Sequence, residues 1–145
     1  MKEINHECYV SSELAKLLRK AGFDWACREY YYNFTTTGWS LSFDDDFVNW
    51  NSWGERYISA PTLDVAQRWL REVKNIEAVP WRWPTKVMFV EGYKPWSYKF
   101  IEYRDLEGVD IEDFNASGED YFKTYEEAQE AGIKKALELI LEKGE

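Results

Sequence analysis

In YFKTYEEAQEAGIKKALELI, residues 121 to 140, a helix and the kind of surface it must lie on are written together. Thr124 with Glu127 three residues later forms a capping box, in which a hydroxyl and a carboxylate satisfy amides that the first turn leaves open. Tyr125, Ala128, Gly132, Ala136, Leu139 and Ile140 then share one side, and the spacing predicts a helix over 125 to 142, ending near Gly144. Gly132 costs about 1 kcal/mol relative to alanine in a helix interior. The small stripe of Ala128, Gly132 and Ala136 offsets that cost if the helix comes close to a flat surface, and a sheet is such a surface. A helix laid on strands is therefore expected at this end of the chain.

Working back towards the N-terminus, SAPTLDVAQRWLREVK has Pro61 where a first-turn proline forfeits no hydrogen bond, with Leu63, Ala66, Leu70 and Val73 on one side. A helix over 61 to 74 follows. Near the start, Ser11 and Ser12 precede the stripe Leu14, Leu17, Leu18 and Ala21, which stops at Gly22, and this predicts a helix over 12 to 21. Between these elements lie short runs rich in aromatic and β-branched residues. FDWACREYYYNF, TTTG and WSLSF read as a hairpin, with a continued helix through REYYY as the alternative. DDDFVNWNSWGE, 44 to 55, has neither period and reads as a loop with one helical turn. VPWRW, KVMFVEGY and WSYKFIEY read as two or three strands, and Pro80 and Pro84 push WRW towards a sheet edge. Leu17, Leu18, Leu70, Ile133 and Ile140 are expected in the core. The order helix, strands, helix, strands, helix is that of an α+β protein: three helices packed on one largely antiparallel sheet, a single domain over 1–145.

Composition narrows the function classes. The chain has 145 residues, 45% hydrophobic and 31% charged, with eight tryptophans, the make-up of a globular protein with one core. Apolar runs such as LELIL, 137 to 141, are too short to span a bilayer, and MKEINHECYV lacks the apolar run and cleavage site of a secretory signal, so a cytoplasmic protein without membrane contact is expected. The two sequons, at Asn33 and Asn115, are then accidents. Cys8 and Cys27 are expected as reduced thiols. A formal charge of −9 repels a phosphate backbone, and duplex nucleic acid is not expected as a partner.

Three stretches carry a resemblance: YVSSELAKLLRKAGFDW at 9 to 25, ISAPTLDVAQRWLREV at 58 to 73, and YFKTYEEAQEAGIKKALELI at 121 to 140. Together they resemble a group of small acidic proteins from phage, prophage and mobile-element genomes of gut bacteria. That group shares an "LAKLL…GF" helix, a "SAPT…A…WLRE" helix and a "TYEEA…AGI…AL" helix. The resemblance covers roughly half of the chain and is loosely similar to phage domains described as an α-β-α sandwich. It implies a phage or mobile-element setting and brings no catalytic residues with it.

The remaining motifs favour structural readings. ELAKLLRKAG could open a helix-turn-helix, but FDWACREYYYN offers bulky aromatics and only Arg28 as a base where a recognition helix should follow. His6 is the single histidine, no CxxC or HxxxH spacing occurs, and no phosphate-binding or nucleophile-elbow motif is present, so neither metal, cofactor nor catalysis is expected. DFNASG, 113 to 118, begins like a calcium loop but has Thr124 where a bidentate Glu is needed, and reads as an Asx-type turn. From 102 to 120 eight acids stand against Arg104 alone, usually a solvated loop, but also able to engage a basic protein.

The tryptophans carry the functional expectation. In VPWRWP, Trp81 and Trp83 point the same way if the segment is a strand, and coverage by helices is the simpler reading. Trp50, Trp53 and Trp96 sit in loop-like segments, where exposed tryptophans are enriched at interfaces. A non-enzymatic accessory or protein-interaction protein of phage or mobile-element type is expected, its partner a host or phage protein, with no oligomeric state implied. The alternative is a small-ligand or carbohydrate-binding module using a Trp-rich surface. In either case Trp50, Trp53, Trp81, Trp83 and Trp96 are the contact candidates, together with the acidic strip, and replacing Trp50 or Trp53 by alanine should cost the fold no more than roughly 1 kcal/mol.

Overall fold

The computed structural model describes residues 8–82, 94–102, 114–115 and 121–143. Along them run α1 (Ser12–Lys20), β1 (Cys27–Phe34), β2 (Gly38–Val48), a 3-10 turn (Trp50–Ser52), β3 (Tyr57–Ser59), α2 (Leu63–Val73), β4 (Ile76–Arg82), β5 (Trp96–Glu102), β6 (Phe114–Asn115) and α3 (Tyr125–Lys143). The protein is α+β, and every strand pairing among the described residues is antiparallel. The expectation of one sheet is corrected: the described strands form two, in the orders β2-β1-β3 and β4-β5-β6. Both edges of β1 are taken by β2 and by β3, which returns a few residues after β2 ends, and both edges of β5 are taken by β4 and β6. Contacts divide the chain into two compact units, Met1–Ala66 and Gln67–Glu145, with the boundary inside α2.

In the first unit α1 begins where its cap predicts. The Ser11 hydroxyl accepts the Leu14 N–H at 3.1 Å, and the helix is followed by Gly22 at φ +99°, a left-handed turn that favours glycine. Leu14, Ala15 and Leu18 are buried while Leu17 is only half-buried. The hairpin is confirmed, but β2 does not stop at the three aspartates. Glu29 pairs with Phe43 and Cys27 with Val48, so Asp44 to Phe47 form a bulge inside the strand. The Asp44 side chain accepts the Asp46 N–H at 3.0 Å, and Arg28 Nε donates to the Asp44 carbonyl at 3.3 Å, which gives the extra residues their own hydrogen bonds. The one expected helical turn in this segment is the Trp50–Ser52 turn.

The start of α2 is Leu63 and not Pro61. Thr62 Oγ1 accepts the Val65 N–H at 3.2 Å and takes the cap, while the Pro61 carbonyl accepts the Val10 N–H at 3.0 Å and the Leu63 N–H donates to the Cys8 carbonyl at 2.8 Å. The approach to α2 is thereby paired with the chain ahead of α1, a pairing that local periodicity does not carry.

In the second unit β4 is an edge among the described strands of its sheet, as suits Pro80, which has no N–H to give a ladder. The helix α3 packs on β4 and β5, and its small stripe has the expected use. A methyl group at Gly132 would lie 3.1 Å from Ala78 Cβ and 3.2 Å from Tyr98 Cβ, so the helix comes closer than an alanine would comfortably allow. The buried face is rotated from the expected one: Ala128, Gln129, Ile133, Ala136 and Leu137 are buried, Leu139 and Ile140 are half-buried, and Tyr125 is exposed. Gln129 can turn inward because its Nε2 donates to Gln67 Oε1 at 2.7 Å and Gln67 Nε2 donates to the Ala78 carbonyl at 2.8 Å. The capping box closes one residue early. Thr124 Oγ1 accepts the Glu127 N–H at 3.1 Å, and the Glu127 carboxylate takes the N–H of Lys123 at 3.1 Å.

Candidate functional site

In REYYYNF, 28 to 34, strand alternation sends Tyr30, Tyr32 and Phe34 to one face of the first sheet and Glu29, Tyr31 and Asn33 to the other. The register extends both sets. Tyr32 faces Tyr57 on β3, so Tyr57 joins the first set, whereas Tyr31 faces Leu41 on β2 and the buried Ile58 on β3. The Tyr31 face meets the chain around α1: Tyr31 Oη donates to the Val10 carbonyl at 2.7 Å, Tyr9 Oη donates to Glu29 at 3.2 Å, and Lys16 Nζ lies 5.3 Å from the Trp39 ring centre.

The opposite face carries a layer of rings. Tyr30 stacks on Trp50 at 4.2 Å, Trp50 stacks on Tyr57 at 5.8 Å, and Tyr32 meets Tyr57 edge-on at 5.0 Å and Phe34 at 4.7 Å. Trp53 closes the group, 4.9 Å from Trp50 and 5.5 Å from Tyr57. Such offset and edge-to-face contacts contribute about 0.5 to 1.5 kcal/mol each beyond area burial. Trp50 is the keystone, 3% exposed, with its indole N–H donating to the Cys27 carbonyl at 2.8 Å. Its neighbour Asn51 donates to the Phe23 carbonyl at 2.8 Å and accepts the Ser59 N–H at 3.0 Å, so the turn is fastened to both sides. Around this buried centre Trp53 is 55% exposed, Phe34 45% exposed, and the three tyrosines half-buried.

The five tryptophans proposed from sequence are therefore not one patch. Trp50 is core, which corrects its reading as an exposed anchor: stacking between two tyrosines and a hydrogen bond to a carbonyl 23 residues away bury it. Trp53, its neighbour, is exposed as expected. Trp81 lies on the face of the second sheet opposite α3, because its neighbour Pro80 alternates with Ala78, the residue α3 touches. Trp81 is half-buried with Lys99 Nζ 5.6 Å from its ring centre, so the expected coverage by helix is corrected for α3. Trp96 is half-buried on the α3 side, edge-on to Tyr125 at 5.4 Å. Trp83 and His6 fall outside the described residues, as do the acidic strip 102 to 120 and the DFNASG turn apart from the backbone of Glu102, Phe114 and Asn115. Tyr30, Tyr32, Phe34 and Tyr57 were not among the candidates, although the recurrence of aromatics at 30, 32 and 34 was the signal for a shared face.

Cys27 opens β1 beneath this layer. Burial, aided by the Glu29 carboxylate, pushes its thiol up to about 12, and the thiol donates to the Trp25 carbonyl at 3.7 Å. A thiol held neutral in this way is a packing group and not a nucleophile. Comparison with family models, with curated proteins and with solved structures gives no match to this chain. Among the described residues no helix is long and apolar enough to cross a membrane.

Proposed function

We propose that this is a non-enzymatic accessory protein, of the phage and mobile-element kind its helices resemble, which holds a partner on the aromatic face of its first sheet. One observation carries the reading: exposed Trp53 and Phe34 flank a ring layer whose centre, Trp50, is buried and hydrogen-bonded. Aromatic side chains give large contact area for few rotatable bonds, and a layer already fixed in place has little left to order when a partner arrives. Rings and hydroxyls hold a ligand by contact, whereas a nucleophile or general acid needs an adjacent activating group.

The test is retention of partners from lysate on the immobilised full chain, run in parallel with Trp53→Ala, Phe34→Ser and Trp81→Ala. A species that depends on the face should be kept by the parent and by Trp81→Ala and lost by the other two. Identical retention on all four would reject the face as the contact surface.

A further inference from the structure

Resting on the reading that this face is the contact surface, we propose that its occupant is a neutral carbohydrate, an oligosaccharide lying along the step between the rings of β1 and β3 and the small residues of β2. The step follows from the register. Opposite Tyr30, Tyr32 and Phe34 stand Ser42, Ser40 and Gly38, so a wall of rings runs beside a floor of small side chains. From residue 30 to residue 34 the strand advances about 13 Å, longer than one sugar ring.

The hydroxyls point to the same chemistry. On the α1 side of the sheet Tyr31 and Tyr9 spend theirs on Val10 and Glu29. On the ring side the hydroxyls of Tyr30, Tyr32, Tyr57, Ser40 and Ser42 have no hydrogen-bond partner among the described residues, and all five residues are at least partly exposed. A sugar offers what such a surface lacks: C–H faces that carry partial positive charge and stack on the negative face of a ring, and hydroxyls that both donate and accept.

Charge and spacing argue against other occupants. Between residues 30 and 34 on β1, 38 and 42 on β2, and at 57, this face presents no acid or base. With a formal charge of −9 the chain does not suit a phosphate or carboxylate ligand. A quaternary ammonium needs a cage of separated ring faces. Here Tyr30 and Trp53 rest directly on Trp50, at 4.2 and 4.9 Å, which leaves no gap between those rings.

The experiment titrates the full chain with cellohexaose, xylohexaose, maltohexaose, mannohexaose and N-acetylated chitohexaose, read by calorimetry and tryptophan fluorescence. Choline chloride and an acidic galacturonic hexamer are run beside them. At least one neutral hexaose should saturate with a Kd below about 1 mM. Because the contacts are uncharged, that affinity should change less than about twofold between about 0.05 and 0.5 M salt. Tyr32→Ala and Trp53→Ala should each weaken it about tenfold or more, as loss of a stacked ring does, while Trp81→Ala leaves it unchanged. Ser40→Phe, which fills the step and removes no ring, should abolish binding while the melting temperature stays close to that of the parent. No saturation by any neutral hexaose at about 10 mM, or preference for choline or the acidic hexamer, would overturn the proposal. If the sugars fail while Trp53-dependent and Phe34-dependent retention persists, the carbohydrate falls alone. If that retention is also independent of the face, the reading beneath it falls as well.

Discussion

Tyr30, Tyr31 and Tyr32 are consecutive and chemically identical, yet the two faces of β1 use them differently. Tyr31 points towards the chain around α1 and gives its hydroxyl to the Val10 carbonyl at 2.7 Å. Tyr30 and Tyr32 join a ring layer held edge to face and face to face, and their hydroxyls are not engaged by described residues. One face is finished by protein. The other is half-finished, with Trp50 the one buried ring of the layer among the described residues. The comparison teaches that on a strand the role of a residue is set by parity and by what crosses over it, and only weakly by its type.

The most damaging change to this contrast is Trp50→Ala. It removes a 3% exposed ring, the stacking partner of Tyr30 and Tyr57, and the donor to the Cys27 carbonyl. Deleting a buried aromatic typically costs about 3 to 5 kcal/mol, so a large fall in the denaturant midpoint is expected. A loss below about 1 kcal/mol would mean that the ring layer is ornament on a sheet stable without it. Trp53→Ala, at 55% exposure, stays within about 1 kcal/mol, and the neighbouring pair thereby separates core from contact surface.

The fold was legible where the physics is local. The cap of α1 at Ser11, the threonine cap of α3 and the close approach at Gly132 all follow from residues within a few positions of one another. The division into two sheets was not legible, because it turns on β3, three residues long and too short to show a period, pairing back with the central β1. The site was half legible. Exposure of Trp53 agrees with its loop-like segment, whereas burial of Trp50 in the same segment depends on Tyr30, Tyr57 and the Cys27 carbonyl, partners that no local pattern links. Period alone places Ile140 in the core, but α3 turns Gln129 inward, where Gln67 accepts its Nε2, and Ile140 is left half-buried.

The finest test of the two faces removes single oxygen atoms. Tyr31→Phe deletes the hydroxyl that donates to the carbonyl of fully buried Val10. An orphaned buried acceptor costs about 1 to 3 kcal/mol, and the variant should melt measurably earlier than the parent. Tyr30→Phe and Tyr32→Phe delete the same atom from half-exposed rings whose hydroxyls no described residue engages, so their effect on stability should stay within about 0.5 kcal/mol. The ring contacts survive all three changes, which makes the series a comparison of hydroxyls alone. If Tyr32→Phe destabilises the chain as much as Tyr31→Phe, its hydroxyl is committed within the protein and the outer face is as finished as the inner one. If Tyr32→Phe is neutral for folding yet weakens an oligosaccharide found by the titration, that hydroxyl belongs to the ligand, and the parity of one strand has divided three tyrosines between structure and recognition.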